Sequence, residues 1–475
     1  PPFQESKINY GITYPVTDNF HLKLGLIRGN TLNIGFSISR SLKYKNSFIP
    51  KNDPHIPVQN SEIIKSVVKR DDRYFYLSSL DELRKRNLYL QSGDINYSTK
   101  TAKVAFAQNK HISYSRAIGR VASVLDEITP NDISTFEITN LNADQGLHKV
   151  TINRERFNYG KTTNTPLSVL PSSKLESVKY TPDDYAFNPP TKLPSVIWKL
   201  SPDIKSQIGG PDGFYFGDVR LAFNSEIIFK RNLTIVGRAS AGIVNNLSEL
   251  KLPSDSILPH VRTDIVQYMK QGTDYSVDAL QINYFNNPYK NLYTKLSAGI
   301  FEAMFGGYGG EILYRRFESN FAVGADIWRV QQRQYNQLFS FLPYKTTTGH
   351  ISLYYQEPRS KILFQMKGGK FLAKDSGINF DFSRRFSNGL QIGAFFTLTD
   401  ISREEFGEGS FDKGFYFFIP LEQFSSKYSK DFTGFGLRPV TRDGGAMLNQ
   451  SLELWGVTDQ ASMYNITKSW GDLYD

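Results

Sequence analysis

The chain has 475 residues, 40% of them hydrophobic, with a mean hydropathy of −0.38 and no uninterrupted apolar run long enough for a spanning helix, so helical membrane spans are excluded. Its 56 Lys and Arg against 46 Asp and Glu leave a net charge of +10, yet the basic residues are scattered along strands without a basic helix or arm, which argues against a nucleic-acid partner. Zero cysteines remove disulfides, thiolate metal sites, a cysteine nucleophile and a lipid-bearing cysteine from the sequence given, while 27 Tyr, 35 Phe and 36 Gly favour strands. A membrane barrel can sit behind such averages, because each strand gives half its side chains to lipid and half to a polar interior.

Three amphipathic strands open the chain. Ile8, Tyr10, Ile12 and Tyr14 alternate with Asn9, Gly11 and Thr13; Leu22, Leu24 and Leu26 alternate with His21, Lys23 and Gly25; Leu32, Ile34, Phe36 and Ile38 alternate with Asn33, Gly35 and Ser37. Three strands cannot close a barrel, so residues 1–48 are expected to be the last strands of a first, incomplete barrel whose remainder precedes Pro1. Neither a basic n-region nor an apolar h-region stands at Pro1-Pro2-Phe3, so an export signal is expected to lie outside the sequence given.

Residues 49–160 read as a small α/β domain. Ser79 and Glu82 have the spacing of a capping box and predict a short helix toward Asn87. Ile118, Val121, Ala122 and Leu125 recur at helical spacing over 114–128, and Pro130-Asn131-Asp132 stops that helix. Strands are expected over 88–97, 102–107, 133–139 and 150–157, giving an order of helix, two strands, helix, two strands. Residues 161–193, with five prolines from Pro166 to Pro190 and Pro194 just beyond, read as a linker or an extended wrapping segment.

From residue 194 to 475 the period-two signal dominates. Leu280, Ile282 and Tyr284 oppose Gln281 and Asn283, a turn is expected at Asn286-Asn287-Pro288, and Leu292, Leu296, Ala298 and Ile300 follow opposite Lys295, Ser297 and Gly299. Ile362, Phe364 and Met366, then Ile378, Phe380 and Phe382, then Leu390, Ile392, Ala394, Phe396 and Leu398 continue the pattern, with a tight turn at Ser387-Asn388-Gly389. Strands of about ten residues, numbering about 12–14, fit a transmembrane antiparallel β-barrel. A soluble sandwich would show Lys and Glu on its polar face, whereas Gly, Ala, Ser and Asn stand there. Tyr284, Tyr314, Trp328 and Phe396 are expected among the aromatics at the lipid headgroups.

Several segments then carry a resemblance. Gly209-Gly210-Pro211-Asp212-Gly213-Phe214, Leu258-Pro259-His260-Val261-Arg262-Thr263-Asp264, Met304-Phe305-Gly306-Gly307-Tyr308-Gly309-Gly310-Glu311, Arg384 to Phe386 leading into Gly393-Ala394-Phe395-Phe396-Thr397, and Gly407-Glu408-Gly409-Ser410-Phe411-Asp412-Lys413-Gly414-Phe415 resemble the YjbH/GfcD family over 209–420. The resemblance implies a bacterial outer-membrane protein encoded with exopolysaccharide or group 4 capsule export genes, lipid-anchored, longer than this chain, with two barrels joined by a periplasmic α/β part. The lipidated cysteine and most of the first barrel are missing from the sequence given.

No motif requires a cofactor or metal. Gly306 to Gly310 misses the GxGxxG spacing and precedes a strand, so it reads as a turn or crowded barrel wall and not as a phosphate cradle. Asp400, Glu404, Glu405, Glu408 and Asp412 could chelate Ca²⁺ or act on a glycosidic bond, against the plainer reading of a solvated acidic loop. His260, beside Arg262 and Asp264, has no matching nucleophile motif. Arg238, Gln281, Asp326, Asn379, Asp381 and Gln391 are the candidate lumen-lining residues able to hydrogen-bond a sugar chain. The expected function is therefore an outer-membrane component of an exopolysaccharide or capsule secretion system that binds, scaffolds or conducts polysaccharide without covalent chemistry. Its expected partners are outer-membrane lipids, polysaccharide and other export proteins. The alternatives are a glycan-modifying enzyme using the acidic loop and a general diffusion porin.

Overall fold

The computed structural model describes residues 5–18, 20–39, 47–190, 193–208, 213–251 and 254–475. Residues 209–212 of the first family segment thus lie outside the described residues, as does the opening Pro1-Pro2-Phe3.

Strands β1 (Tyr10–Thr17), β2 (Phe20–Ile27) and β3 (Thr31–Ile38) form a three-stranded antiparallel sheet of their own. Arg28 and Gly29, both with positive φ, make the β2–β3 turn. The register sets Ile12 against Leu24 and Leu24 against Ile34, so the apolar residues share one face, and that face is exposed.

The α/β module contains α1 (Ser61–Val68), α2 (Arg73–Lys85), β4 (Leu88–Asn96), β5 (Thr101–Gln108), α3 (Tyr114–Ile128), β6 (Thr135–Asn142), β7 (Gln145–Asn153), α4 (Arg154–Thr162) and β8 (Lys174–Glu176). Its sheet runs β4-β5-β6-β7-β8, with β5 and β6 parallel and α3 as the crossover that parallel pairing demands. Ser113 caps α3 by accepting the Arg116 N–H at 3.4 Å, and almost the whole helix is buried.

Two expectations need correction here. Ser79 and Glu82 are not a capping box but sit inside α2, buried, where Glu82 pairs with Lys85 and Arg86 at 2.7 and 2.8 Å. The helix starts at Arg73, whose N–H is taken up by the Asp71 carboxylate at 2.9 Å. The strand expected to reach Phe157 stops at Asn153, because the Asn153 side chain accepts the Arg156 N–H at 3.0 Å and caps α4. In the proline-rich stretch β8 pairs with β7, and Phe187 bridges Gly93.

Thirteen strands follow: β9 (Ser195–Ile208), β10 (Tyr215–Lys230), β11 (Leu233–Asn245), β12 (Tyr275–Tyr289), β13 (Leu292–Ile300), β14 (Phe305–Arg315) and β15 (Phe321–Arg333). They continue with β16 (Phe341–Gln356), β17 (Ile362–Lys370), β18 (Ser376–Arg385), β19 (Gln391–Thr399), β20 (Asp412–Pro420) and β21 (Phe432–Leu437). Each pairs antiparallel with its sequence neighbours in a single 13-stranded meander, and no hydrogen-bonded ladder joins β21 to β9 among the described residues. The sheet nonetheless curls far enough that Lys199 on β9 pairs with Asp431, at the start of β21, at 3.0 Å. The turn between β12 and β13 falls at Lys290-Asn291, later than the Asn286-Asn287-Pro288 expected, because Asn291 supplies the positive φ. The glycines of 306–310 lie inside β14, where a Cβ on Gly307 would stand 2.1 Å from the Arg329 carbonyl oxygen.

The two faces of this sheet are inverted relative to a water-soluble protein. Gln281 and Asn283 of β12 are fully buried while Leu280 and Ile282 are each 40% exposed; on β16, Thr348, His350 and Ser352 are buried while Ile351 is 65% exposed. Trp328 departs from the expectation of an outward aromatic: it shares the parity of Asp326, faces inward, and is buried edge-on against Phe301.

The module docks on the sheet through His148, which stacks on Phe317 of the β14–β15 turn and lies 2.7 Å from the Asn140 amide. Burial pushes the His148 imidazole down to about 3, and burial together with the neighbouring cations Arg116, Lys110, Arg120 and Lys430 pushes His111 down to about 2. Unfolded, both would take up a proton near pH 6.5, so the stability they confer is complete above that pH and is lost as pH falls toward the folded values. Moving from pH 7 to pH 5 is expected to cost about 2 kcal/mol per histidine, and His148→Phe should remove one histidine's share of that dependence in thermal melts of the full chain.

Candidate functional site

The interior of the curled sheet is occupied. Residues 443–475 enter at the end of the long loops and leave at the end covered by the module, touching one strand after another. Ser451 N–H donates to Gln281 on β12 at 3.4 Å, Lys295 on β13 donates to Gln450 at 2.9 Å, and the Leu454 N–H donates to both carboxylate oxygens of Glu311 on β14 at 3.0 and 3.1 Å. Lys367 on β17 pairs with Glu453 at 3.2 Å, while Asp459 receives Arg315 of β14 at 3.3 Å and Arg385 of β18 at 2.9 Å.

The segment is anchored by Trp455, at the start of α7 (Leu454–Thr458). Its ring lies between the parallel ring of Tyr354, 4.1 Å away, and the Arg315 guanidinium at 4.1 Å. Stacking contributes about 1 kcal/mol beyond burial, and a desolvated cation over an indole about 2 kcal/mol.

Beyond α7 the chain runs onto the module through α8 (Met463–Lys468). Ser115 donates to the Ile466 carbonyl at 2.9 Å, Arg120 to the Asp475 carbonyl at 2.8 Å, and the Trp470 indole to the Pro166 carbonyl at 3.0 Å. Gly119 permits the approach: a Cβ there would stand 1.6 Å from the Leu473 carbonyl oxygen. One segment thus ties the sheet interior to α3.

The end with the long loops is closed. Asp443 accepts the N–H groups of Arg262 and Thr263 at 2.7 and 3.0 Å and the Thr263 hydroxyl at 2.7 Å, pinning the 254–272 loop across the opening. Val261, Tyr268, Phe305, Trp328, Leu372 and Ala446 form a dry cluster beneath it. His260 lies in this cap, held at 3.0 Å from Asp264, which also accepts the Tyr335 hydroxyl at 2.9 Å; with no nucleophile in that set, it braces the loop.

The five acidic-loop residues do not converge. Asp400 accepts the Ser376 N–H at 2.9 Å, Glu405 completes a capping box with Ser402, Glu408 faces Arg442 at 3.9 Å and Asp412 pairs with Arg438 at 3.3 Å, while Glu404 lies in the short helix headed by that box. Among the described residues no group of three His, Cys, Asp or Glu side chains is placed to hold a metal.

The six candidate lumen residues lie on the inner face, dispersed along it. Gln281 is hydrogen-bonded to Asn283, Asn379 donates to Thr397 at 2.9 Å, Asp326 faces His350 at 3.3 Å, and Asp381 accepts the Tyr416 hydroxyl at 2.8 Å. Gln391 receives Arg385 at 2.9 Å, and Arg238 pairs with Asp203 at 2.6 Å. Only Arg238 borders a large open space: a cavity of about 1120 Å³ between the module and the inner wall of β9–β12. Sequence reading missed the 443–475 segment altogether, since it carries no periodicity; its one signal was Trp455 and Trp470 in a stretch without strand alternation.

The fold is that of a large, mainly β protein with a polar, occupied interior. The family model described as exopolysaccharide biosynthesis protein YbjH matches residues 2–460, and the chain belongs to that YjbH family. A curated relative from Escherichia coli (strain K12), described as "Uncharacterized lipoprotein YjbH", is 29% identical over 474 residues, covering 97% of this chain; the chain spans 66% of that relative's length.

Gly119→Val should displace residues 460–475 from α3 while leaving the sheet folded. Limited proteolysis is expected to show a new cleavage near Tyr464 in the variant and none in the parent.

Proposed function

We propose that this chain is an outer-membrane component of an exopolysaccharide secretion system, with the 13 strands closing into a barrel in the bilayer and the module in the periplasm. The observation that carries this reading is the inverted sheet: apolar side chains outward over strands that, β21 apart, are of membrane-spanning length, polar side chains inward. Most short turns, such as those between β10 and β11 and between β12 and β13, lie at the module end, and the long 246–274 and 400–411 loops lie at the other, as periplasmic and extracellular ends differ in bacterial barrels. Residues 1–48, 49–160 with the 161–193 stretch, and 194–475 then serve as the end of a first barrel, the periplasmic part and the second barrel. The printed description of the Escherichia coli relative as a lipoprotein accords with membrane attachment.

With its interior filled by residues 443–475, the barrel binds or scaffolds polymer at its periplasmic mouth and does not act as a diffusion porin. No covalent step is assigned to it, because the carboxylates of the acidic loop do not converge and Asp400, Glu405 and Asp412 are each engaged in holding loops and strands.

Ile327→Arg and Ile351→Arg, both on the outward face, are each expected to cost about 2–4 kcal/mol of stability in bilayers, read by urea titration of the lipid-embedded protein. Planar bilayers containing the parent chain should show no steady conductance. A protein recovered folded and monodisperse without detergent would reject this function.

A further inference from the structure

The cavity at the module end has a composition that selects its ligand. Eight Lys and Arg side chains border it against three carboxylates, those of Asp53, Glu226 and Asp431. Six of the eight cations are in ion pairs: Lys110 and Arg120 with Asp53, Lys199 with Asp431, Lys85 and Arg86 with Glu82, and Arg238 with Asp203. Lys430 donates only to the Gln108 carbonyl at 3.1 Å and rests 4.9 Å from the Tyr114 ring; among the described residues neither it nor Lys427 makes an ion pair. His111, also on the wall, is 1% exposed and its Nδ1 has no hydrogen-bond partner.

The rest of the wall mixes hydroxyl and amide groups, including Asn109, Asn224 and Ser429, with apolar side chains such as Ile56, Ile197 and Val236. Neutral donors and acceptors suit sugar hydroxyls, apolar side chains suit the apolar face of a pyranose, and the unpaired lysines suit a negative charge repeated along the chain. The volume, at the upper end of small-molecule sites, admits an oligosaccharide segment. The wall is built from β9–β12, the module, the 427–431 loop and residues 451–452.

Resting on the polysaccharide reading above, we infer that this cavity binds an acidic glycan, one bearing carboxylate or comparable anionic groups, through Lys427, Lys430 and Arg238.

Binding of a carboxylated probe, an oligogalacturonate of about ten units, should be compared with a neutral malto-oligosaccharide of the same length on the full chain in detergent, by calorimetry or fluorescence. The acidic probe is expected to bind about tenfold tighter, to weaken as salt rises, and to weaken about fivefold or more in Lys427→Gln/Lys430→Gln. Both lysines lie on a loop outside the packed core, and Arg238→Gln provides an independent test from the inner wall. Equal affinity for the two probes would overturn the charge selection, and unchanged affinity in both variants would overturn the site. Either failure leaves outer-membrane residence intact, whereas recovery of the chain in the soluble fraction would sink the proposed function and not the cavity.

Discussion

A sheet that turns its polar face inward must satisfy that face with something other than bulk water. Here the partner is largely the chain itself. Each buried donor or acceptor left unmatched costs about 1–3 kcal/mol, and an unpaired buried charge more. Residues 443–475 meet that requirement strand by strand: amide against Gln281, carboxylate against Lys367, one aspartate shared by Arg315 and Arg385. Without them Arg315 and Arg385 would lose the carboxylate they share, and Lys367 its direct partner Glu453.

This constraint orders the rest of the molecule. Because the segment fills the interior and is pinned at one end by the Asp443 network, it reaches the opposite end in a fixed place and meets α3. The module is therefore held by the 463–475 stretch and by direct contacts with the sheet, among them the His148–Phe317 stack, the Tyr293 hydroxyl on the Gly146 carbonyl at 3.2 Å and Lys430 on the Gln108 carbonyl at 3.1 Å. The cavity survives where the segment turns away from β9–β11, with Ser451 and Leu452 forming its edge. A ligand bound there would touch the module, the inner wall and the filling segment together, which suits a protein that senses or holds polymer at a barrel's mouth better than one that lets it pass.

Period two made most of the sheet legible, because one face of each strand has a single chemical character: Leu280, Ile282 and Tyr284 read as a set without any knowledge of their neighbours. Helix α3 was legible for the same reason at helical spacing. Trp328 misled, since an aromatic near a strand end is read as a headgroup anchor, and only its parity with Asp326 shows that it points into the cap. Helix α2 starts seven residues earlier than a Ser79 cap would place it, because Ser79 and Glu82 imitate a cap whereas the actual start depends on Asp71. The filling segment was not legible at all: its partners lie 70 to 359 residues away in sequence, and no local pattern encodes contacts of that range. The cavity was missed with it, since only the curl of the sheet brings Arg238 opposite Lys430.

The absence of cysteine allows the inverted sheet to be examined one position at a time. Single cysteines at 323, 351 and 353, and at 324, 350 and 352, can each carry a spin label in lipid-reconstituted protein. The first set should collide freely with oxygen dissolved in the bilayer, and the second should show immobilised spectra with little access to oxygen. Equal accessibility of both sets to a water-soluble relaxant would contradict an apolar belt in lipid around a filled polar interior.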